Sequence, residues 1–593
     1  MKSKGEIAAI LQDIAALMEF HGENPFKCRA FDNAARALTA TTEPLEALLA
    51  EAGRLEQVKG IGKATAEVIR DAADSGQCTV LRELKGNIPA GVFEVMQVPG
   101  LGPKKVRVLH DKLGVSSVHD LEKACQDGRV EKLPGFGKKT SDKLLEGISQ
   151  FREFSGQFLC SVALDAATPL LAALREIKAV KRVELAGSLR RGREIIHDLD
   201  FVASSNSPQE VMDRFVSLPG ISQVVAHGPT KSSVRLTSGI QADLRVVSDD
   251  QFACALQYFT GSKEHNTQIR GRAKKMGLRV NEYGIFHAND GDEGEVAKAP
   301  AFQVKDEAAF YKALGLSLIP PELREGLGEV EAAEAGGIPK LIDLQDYRGV
   351  LHCHSTWSDG KASIREMAMA ARDQWKLDYF AVCDHSEAAF YANGVKKGDL
   401  ARQHEEIDEL NDELGGKDFQ ILKGCECDIL GDGELDYPAE YLAKMDVVVA
   451  SVHSRFQLPP DEMTQRLLRA IENPYTTILG HPTGRLLLGR SGYSLDMEAV
   501  LRKAAETGTV IEINGDPRRL DLDWRLCRHA RDLGVKFSVN PDAHSVAGLR
   551  HILFGLTSAR KGWLTSRDVI NCLSLAQFLK FVRSLRESKL ARA

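Results

Sequence analysis

The sequence lacks the features that mark membrane and secreted proteins. No stretch of about 18 unbroken apolar residues occurs, so no membrane span is expected. The N-terminal segment alternates charged and apolar residues, which predicts an amphipathic helix and not a signal peptide. The 11 cysteines are scattered without paired spacing. A reducing cytoplasm fits them best.

The sequence also lacks a basic excess, since its net charge is −6. Taken alone, this value argues against a nucleic acid partner, because nucleic-acid-binding proteins usually carry a basic patch. The acidic excess is uneven, however. Acidic runs lie at 320–346, whereas residues 1–150 hold lysine and arginine beside glycine turns. Local charge matters more than the total, so a nucleic acid partner stays open.

One short pattern occurs three times near the N-terminus: VKGIGKATAEVI from Val58, VPGLGPKKVRVL from Val98 and LPGFGKKTSDKLL from Leu133. Each copy places a Gly-x-Gly turn before an amphipathic helix, where free backbone N–H groups and the helix dipole suit a phosphate. A single copy would be explained equally well by a glycine-linked helix pair. Three copies in one register favour sequence-independent binding of the DNA backbone. The predicted contacts are Gly60, Gly62, Gly100, Gly102, Gly135 and Gly137.

The sequence pattern changes after the region that contains these three predicted helices. A mixed region of short strands and helices runs to about residue 320, and the segment 320–346, rich in Glu, Gly and Pro, is predicted to be a linker with a short helix. From Gly349 onward, apolar strands alternate with helical stretches, which predicts a parallel sheet or barrel. The strands predicted in the mixed region are 180–187, 198–204, 233–238 and 241–247.

Three carboxylates of the mixed region are candidate catalytic residues. Asp198 and Asp200 are two apart, so on a strand they point to the same side, and Asp243 adds a third carboxylate from another strand. Converging carboxylates need cations, and Mg²⁺ prefers oxygen ligands. Two such ions can activate a 3′-hydroxyl and stabilise a leaving pyrophosphate. The alternative for the first two residues alone is a solvated strand end.

The turn before these carboxylates suits a triphosphate. Gly187 and Ser188 offer N–H groups and a hydroxyl, and Arg190 and Arg191 offer guanidinium forks. The Gly-Ser-x-Arg-Arg-Gly element followed by Asp-x-Asp resembles the nucleotidyltransferase signature of family X, the family of DNA polymerase beta. The resemblance covers about residues 1–320.

A second match to family X is YFTGSKEHNTQIR, residues 258–270. The resemblance implies that this segment lines the nucleotide site. Tyr258 and Phe259 would pack by the sugar, Asn266 would contact the minor-groove edge of the base, and Arg270 would contact the template strand. Gly261 is assigned to the nucleotide site on the same ground. NEYGIF, residues 281–286, is similar to the thumb of the family.

Two positions depart from the animal members of family X. His197 stands where they have a glycine that donates a backbone N–H to phosphate, which leaves that contact open. Val68 stands at the position of their Schiff-base lysine, so a lyase acting on 5′-deoxyribose phosphate is not expected. Lys63 lies nearby, without a basis for assigning it that role.

Metal-ligand residue types recur where the strands of the C-terminal block end. GVLHCHSTWSDG places His352 and His354 on one face of a strand and Asp359 in the following loop. Barrel enzymes build their sites at such strand ends. Mixed His and carboxylate sets suit Zn²⁺, Mn²⁺ or Fe²⁺, and this set could hold two or three ions. The other predicted ligands are His385, Glu426, His453, His481, Asp542 and His544.

This set resembles the PHP domain (polymerase and histidinol phosphatase), which implies a distorted β/α barrel with a trinuclear metal site. Every ligand position of the family is filled in order, which favours an active hydrolase over a scaffold. In the expected reaction, water whose pKa the metals lower attacks phosphorus. Asp384 is the expected hydrogen-bond partner of His385. Arg455 and Arg485 could steer phosphate or form surface salt bridges.

The expected architecture has several domains: helical helix-hairpin-helix regions, an α+β nucleotidyltransferase palm with a thumb, and a C-terminal PHP barrel. The expected boundaries are 1–80 and 81–150 for the two helical DNA-binding regions, 151–250 for the palm, 251–319 for the thumb, 320–346 for the linker and 347–593 for the PHP domain.

The expected function is short-gap filling in DNA repair by a DNA polymerase, coupled to a metal-dependent 3′–5′ exonuclease. The PHP block could instead be a scaffold or a phosphatase of other phosphoesters, and 3′-phosphate removal or incision at abasic sites also stays open. The expected cofactors are Mg²⁺ at the polymerase site and up to three Mn²⁺ or Zn²⁺ ions in the PHP site. The expected partners are gapped or primer–template DNA and deoxynucleoside triphosphates. A monomer associated with the nucleoid is expected.

Overall fold

The computed structural model describes residues 4–41, 43, 45–51, 53–74, 78–86, 88–288, 300–414, 416 and 419–592. The chain divides into two compact units, Met1–Gln157 and Phe158–Ala593. Among the described residues, no helix combines the length and apolar character that crossing a bilayer requires.

The first unit is helical and has two hydrophobic cores. Ile7, Leu38 and Ile69 belong to the first core, whereas Val95 and Leu144 belong to the second. The two cores are built from helices that range from 4 to 18 residues in length. The helices are α1 (Lys4–His21), α2 (Pro25–Ala40), α3 (Leu45–Ala50), α4 (Arg54–Gln57), α5 (Lys63–Asp74), α6 (Thr79–Gly86), α7 (Ala90–Met96), α8 (Pro103–Leu113), α9 (Val118–Gln126) and α10 (Lys138–Phe154).

The second unit begins with a five-stranded mixed sheet in the order β2-β4-β7-β6-β5. The four strands predicted from sequence are present, and β5 is an additional edge strand. Helices α11 and α13 and the short helix α12 accompany the sheet. The elements are β1 (Phe158–Leu159), α11 (Cys160–Arg175), β2 (Val180–Leu185), α12 (Gly187–Arg190), β3 (Ile195–Ile196), β4 (Asp198–Ser205), α13 (Pro208–Phe215), β5 (Ile221–His227), β6 (Lys231–Leu236) and β7 (Gln241–Val247).

A smaller helical region with a β-hairpin follows the sheet. Its core joins Phe310 to Leu323 and Val330, so the segment predicted to be a linker is packed into a hydrophobic core. Arg324 and Glu329 of that segment are fully buried. The elements are α14 (Phe252–Thr260), α15 (Lys263–Lys275), β8 (Leu278–Asn281), β9 (Gly284–His287), α16 (Glu307–Ala313) and α17 (Glu329–Glu334).

The rest of the unit is a β/α barrel, as predicted. Seven parallel strands pair in chain order from β10 to β16, and a parallel bridge between Cys353 and Ala543 brings the first strand beside the last. The barrel is therefore nearly closed. The strands are β10 (Gly349–Val350), β11 (Tyr379–Val382), β12 (Gln420–Asp428), β13 (Val447–Ser451), β14 (Ile478–Leu479), β15 (Val510–Asn514) and β16 (Phe537–Asn540).

Helices surround the barrel because its strands are buried on both faces; every residue of β13 and β15, for example, is buried. The helices are α18 (Ile364–Met369), α19 (Leu400–Leu414), α20 (Ala439–Leu442), α21 (Pro460–Glu472), α22 (Met497–Thr507), α23 (Trp524–Asp532), α24 (His551–Lys561) and α25 (Leu575–Leu590).

Candidate active sites

The three predicted carboxylates lie together at one end of two neighbouring parallel strands. Asp200 on β4 is in register with Asp243 on β7, and Asp198 precedes Asp200 by two residues on the same face. The Nζ atom of Lys231 lies 3.2 Å from Oδ2 of Asp243. Oδ1 of Asp243 accepts a hydrogen bond of 3.0 Å from Gln241.

Lys231 was not predicted as a site residue from sequence. The pairing of β6 with β7 places it beside the carboxylates. Ser233 pairs with Asp243, so Lys231, two residues before Ser233, points to the same face of the sheet. Its ammonium neutralises part of the carboxylate charge.

The electrostatics of Asp200 fit a cation site. Burial, and then the charges of Asp198 and Asp243, raise the pKa of the Asp200 carboxyl to about 7. Three carboxylates held this close repel one another unless a proton or a metal ion neutralises them. Because all the donors are oxygens, the set fits a hard divalent ion such as Mg²⁺.

The glycine-rich turn lies directly against these carboxylates. Gly187 has φ of +60°, and a Cβ atom there would overlap Oδ2 of Asp200. A side chain is therefore excluded at this position by both conformation and space. Ser188 follows Gly187 in α12, so the backbone of the turn begins beside the Asp200 carboxylate.

The two arginines of the turn have protein partners. Arg190 forms an ion pair of 2.6 Å with Glu307. Arg191 donates to the carbonyl oxygen of Thr260 at 2.5 Å and to Glu325 at 3.3 Å, and only 13% of its side chain is exposed. The guanidinium groups thus fix the turn against the helical region that follows the sheet. A phosphate contact by Arg191 remains a prediction.

The segment predicted to line the nucleotide site forms the junction of α14 and α15. The rings of Tyr258 and Phe259 meet edge to face at 5.2 Å. Asn266 donates to the carbonyl oxygen of Tyr258 at 2.8 Å, so its side chain is held toward this aromatic pair. Gly261, with φ of +69°, makes the turn, and Arg270 is exposed on α15.

The three Gly-x-Gly turns of the first unit share one geometry. Gly60, Gly100 and Gly135 have φ of +105°, +87° and +85°, which explains the glycine at the first position of each turn. A Cβ atom at Gly102 or Gly137 would meet no atom within 4 Å, so the helix starts that follow are open. Gly62 is equally open.

Two positions that depart from the animal pattern differ in burial. Val68 is only 6% exposed and packs within the first core. His197 is exposed immediately before β4. Val68 therefore contributes to packing, whereas His197 is accessible beside the carboxylates.

The predicted histidine and carboxylate ligands meet at one end of the barrel. Glu426 lies among them: its Oε1 is 2.9 Å from His481 Nε2 and 3.2 Å from His453 Nε2, and its Oε2 is 3.0 Å from His385 Nδ1. Three groups have the mutual spacing of metal ligands. These are His354 with Asp359, His385 and His544; His352 with His354 and Asp542; and His385 with Glu426 and His453.

The protonation chemistry of the cluster fits metal ions. Among the described residues, His352 Nε2 and His354 Nδ1 are buried without a hydrogen-bond partner, which is unfavourable unless a ligand completes them. Burial, and then the neighbouring His544 and His385, lower the pKa of His354 to about 3. The neutral imidazole that results is the form that binds metals.

Against the effect of burial, Glu426 and Asp428 raise the pKa of His453 to about 10, and Asp359 and Asp542 raise the pKa of His544 to about 9. These two rings would therefore release a proton on binding a metal ion.

Side chains that sequence analysis missed orient these ligands. Glu512 accepts from His352 Nδ1 at 2.7 Å, which turns Nε2 toward the cluster. Asn540 donates to Glu512 at 3.0 Å. Asp428 accepts from His453 Nδ1 at 2.6 Å in the same way. Glu512 lies between two isoleucines of β15, and Asp428 is the last residue of β12, two residues after the predicted ligand Glu426; these positions are the signals that could have found them.

The structure gives hydrogen-bond and ion-pair partners for Asp384 and Arg485, whose roles were left open by the sequence. Asp384 does not pair with His385; it accepts from Ser355 N at 2.7 Å and from Gln403 at 2.8 Å, and so fixes the loop after β10. Arg485 forms an ion pair of 2.6 Å with Asp523, which assigns it a structural role. Arg455 is exposed.

A barrel helix touches the glycine-rich turn of the carboxylate site. A Cβ atom at Gly192 would overlap Thr557 of α24. Lys561, at the end of the same helix, is buried and donates to Arg191 O at 2.9 Å and to Glu325 Oε1 at 2.7 Å. Burial lowers the pKa of Lys561 to about 8. One lysine of the barrel thus supports both the turn and the partner of Arg191.

Family models match four parts of the chain. They describe a helix-hairpin-helix domain at residues 3–78, a SAM-like helix-hairpin-helix tandem at 93–150, a DNA polymerase beta thumb at 255–325 and a PHP domain at 351–514.

Curated relatives match the whole chain or its barrel. The DNA polymerase/3′-5′ exonuclease PolX of Bacillus subtilis is 40% identical over 582 residues, which cover 98% of this chain and 99% of that protein. A probable phosphatase of Acetivibrio thermocellus is 33% identical over 203 residues, 32% of this chain and 78% of that protein. A probable phosphatase of Thermoanaerobacter sp. is 38% identical over 135 residues, which cover 21% of this chain and 53% of that protein. From end-to-end similarity to PolX and matches to the thumb, helix-hairpin-helix and PHP models, the chain belongs to the family X DNA polymerases that carry a PHP domain.

Proposed function

We propose that the chain is a DNA-directed DNA polymerase that fills short gaps in DNA repair and trims 3′-ends with its PHP barrel. One observation carries the proposal: a single chain, similar to PolX over its whole length, holds both the Asp198, Asp200 and Asp243 set and a separate buried histidine cluster. The two sets suit the two activities in the name of that relative.

In the polymerase reaction, the three carboxylates would hold Mg²⁺. The ions supply activation of the primer 3′-hydroxyl and stabilisation of the leaving pyrophosphate. Ser188 and the N–H groups of the turn after Gly187 bind the phosphates of the nucleotide. Tyr258 and Phe259 would pack by its sugar, and Asn266, held by the carbonyl oxygen of Tyr258, faces the base.

In the trimming reaction, the nine histidine and carboxylate residues of the barrel would hold up to three Mn²⁺ or Zn²⁺ ions. The ions supply a nucleophile by lowering the pKa of water and neutralise the phosphate oxygens. Glu512 and Asp428 hold His352 and His453 with one ring nitrogen turned to the ions. The burial of the cluster keeps bulk water away from the scissile phosphodiester.

The proposed partners are gapped or primer–template DNA and deoxynucleoside triphosphates. The open turns at Gly62, Gly102 and Gly137 support contacts of the first unit with the DNA backbone. We further propose that the protein is a monomer and that it associates with the nucleoid in the cytoplasm. The domain boundaries expected from sequence belong to the same proposal, except that the segment 320–346 is packed with the preceding region and is not a separate linker.

A second candidate function for the barrel is phosphomonoester hydrolysis, including removal of 3′-phosphates from DNA. It is favoured by the similarity of the barrel to probable phosphatases. A third candidate is a metal-stabilised scaffold, and the complete set of ligand residues argues against it. The buried histidine nitrogens that lack partners among the described residues argue only against a scaffold that holds no metal.

The test uses a 5′-labelled primer in a one-nucleotide gap, with Mn²⁺, with and without nucleotides. Extension by one nucleotide when nucleotides are present, and stepwise shortening when they are absent, support both activities. If the primer is extended but not shortened, the barrel should next be assayed as a phosphatase on 3′-phosphate ends. If DNA binds and neither product forms, the proposed function is wrong.

A further inference from the structure

The Arg191 side chain lies between the glycine-rich turn and the segment predicted to line the nucleotide site. A Cβ atom built at Gly261 would lie 3.1 Å from Arg191 Nη1, and this Nη1 atom donates to the carbonyl oxygen of Thr260 at 2.5 Å. Burial, and then the neighbouring carboxylates, raise the pKa of Asp200, and the positive charge of Arg191 opposes this rise. The guanidinium is therefore within electrostatic reach of the predicted Mg²⁺ site, where the phosphates of a bound nucleotide would lie.

The carboxylate of Glu325 is shared by three cationic side chains. Its Oε1 atom accepts from Lys561 Nζ at 2.7 Å and from Arg191 Nε at 3.3 Å, and its Oε2 atom lies 3.5 Å from Arg193 Nη1. Only 9% of the Glu325 side chain is exposed. Burial raises the pKa of this carboxyl, but Lys561 and then Arg191 lower it by more, so the pKa lies below its usual range and the group is ionised at neutral pH.

The contacts of Lys561 and Arg191 with Glu325 differ in strength. The 2.7 Å contact with Lys561 has the length of a charge-assisted hydrogen bond, whereas the 3.3 Å contact with Arg191 is long. The Lys561 side chain is fully buried and also donates to the carbonyl oxygen of Arg191 at 2.9 Å, which fixes its position. Glu325 is therefore bound firmly to the barrel lysine and weakly to the Arg191 guanidinium.

A carboxylate and a phosphate are alternative partners for the same guanidinium, because both accept from its fork of N–H groups. A buried charge that loses its only partner is strongly destabilising. Glu325 avoids this state, since Lys561 and Arg193 still contact it when Arg191 turns away. Among the described residues, Arg191 and Lys561 have no other carboxylate within 4 Å, so two positive charges face one negative charge. The excess of positive charge favours an anionic ligand.

We propose that Glu325 holds Arg191 in the empty nucleotide site as a stand-in for the triphosphate, and that Lys561 and Arg193 keep Glu325 paired after Arg191 transfers to the phosphates. Glu325 is thus an internal competitor of the nucleotide, and the barrel lysine makes its displacement easier. All three are positioning residues, since they act on the nucleotide through Arg191. The proposal rests on the proposed polymerase function and adds a determinant of its nucleotide affinity.

The test measures primer extension on the one-nucleotide gap by the full-length protein and its variant Glu325→Gln, with Mg²⁺ in excess. Without the competing charge, the KM for the incoming nucleotide should fall about 10-fold, the size expected for one hydrogen bond to a charged group. The KM for the gapped DNA should stay the same, because the exchange involves only the phosphates of the nucleotide.

Glu322→Gln is the matched control. It removes the same charge from the same segment, together with an ion pair of 2.7 Å to Arg560 of the barrel helix α24. Its carboxylate is paired with Arg560 and not with Arg191, so the KM for the nucleotide should be unchanged. An equal fall in both variants would assign the effect to the general loss of negative charge and would overturn the proposal.

Inorganic triphosphate shows whether the effect lies at the phosphate groups. Its inhibition constant, measured against the nucleotide in excess Mg²⁺, should fall about 10-fold in Glu325→Gln and stay constant in Glu322→Gln. A purely structural role of Glu325 predicts the opposite: a higher KM, weaker inhibition and a lower Tm. A KM or an inhibition constant that rises or stays the same in Glu325→Gln would overturn the proposal.

The contribution of Lys561 is tested by combining two variants. If Lys561 acts through Glu325, the rise in nucleotide KM caused by Lys561→Met should be smaller in the Glu325→Gln background than in the wild type. An equal rise in both backgrounds would show that Lys561 acts on the turn alone, and would overturn the exchange.

Failure of the proposed function gives a different pattern. If the wild type extends no primer, the polymerase proposal is wrong, and the exchange is judged by equilibrium dialysis with a labelled deoxynucleoside triphosphate and Mg²⁺. Glu325→Gln should then bind the nucleotide about 10-fold more tightly than the wild type and Glu322→Gln. Equal binding by the three proteins, or no binding by any of them, would overturn the exchange as well.

Discussion

The carboxylate site and the histidine cluster differ in burial and in donor chemistry. Asp198 is exposed and the carboxylate site has oxygen donors only, whereas His352 and His354 are fully buried in a mixed nitrogen and oxygen set. Mg²⁺ is usually bound by one or two carboxylates plus substrate phosphates, so the first site can receive its ions with each nucleotide. The second site has enough ligands to keep resident ions. We therefore propose that the first site exchanges its ions and that the second retains them.

The largest effect is expected where the retained ions meet. Glu426→Gln removes the charge that faces His385, His453 and His481. Shortening should fall by more than about 100-fold, since even partners of metal ligands contribute about 10–100-fold. Extension should be unchanged. Metal content measured by mass spectrometry should fall in the variant and not in the exposed control Glu434→Gln. Full metal content and normal shortening in Glu426→Gln would contradict the proposed difference between the two sites.

A smaller effect is expected at the contact between the barrel and the polymerase turn. Lys561→Met removes the donor to Arg191 O and one partner of Glu325. The KM for the incoming nucleotide should rise about 10-fold, because an interaction with a charged group of ~1.5–3 kcal/mol is lost. Shortening should stay normal. Steady-state extension kinetics measure the change, with the exposed residue variant Lys580→Met as control. A fall in extension and shortening together, with a lower Tm, would assign Lys561 to stability alone.

Extension should depend on pH because the Asp200 carboxyl must lose its proton before Mg²⁺ binds. The pKa of Asp200 is raised to about 7 by burial and then by Asp198 and Asp243. Below that pH the carboxyl is protonated in the metal-free protein, so Mg²⁺ must displace a proton. The Mg²⁺ concentration for half-maximal extension should fall about tenfold per pH unit up to about pH 7 and then level off. Magnesium titrations of extension between about pH 6 and about pH 8 measure it. A flat profile would contradict the charge repulsion inferred here.

The smallest effect is expected in the first unit. Gly100→Ala places a side chain at φ of +87° where no atom lies within 4 Å, so the change is strain of about 1 kcal/mol. DNA affinity should fall several-fold because the turn shifts. Gly114→Ala is a matched control, with φ of +68° and equally open space outside the repeat. Fluorescence anisotropy with duplex DNA should distinguish the two. Equal losses of DNA affinity in the two variants would contradict a contact between the turns and DNA.

Much of the fold could be predicted because its signals are local. Most barrel strands are short apolar runs, and the candidate ligands lie within or after these runs, so a parallel sheet or barrel and the convergence of its ligands could be predicted from the same pattern. The four palm strands were found in the same way. β5 was missed because six of its seven residues are exposed, which removes the apolar alternation that marks a strand.

The rest depends on contacts between residues far apart in sequence. The segment 320–346 is polar in composition, yet it is packed because Glu329 meets His265 and Arg324 meets Glu307. The partner of Arg191 is Glu325, which lies 134 residues away. No periodicity encodes such pairs, so the support of the turn and the orientation of the ligands could not be predicted.

The central claim is that two independent metal sites act on the same 3′-end. The most direct measurement compares Asp243→Ala and His352→Ala on the labelled gapped primer, with extension and shortening measured in the same reactions. The first variant should lose extension and keep shortening, and the second should do the reverse. Loss of both activities in either folded variant would contradict the account.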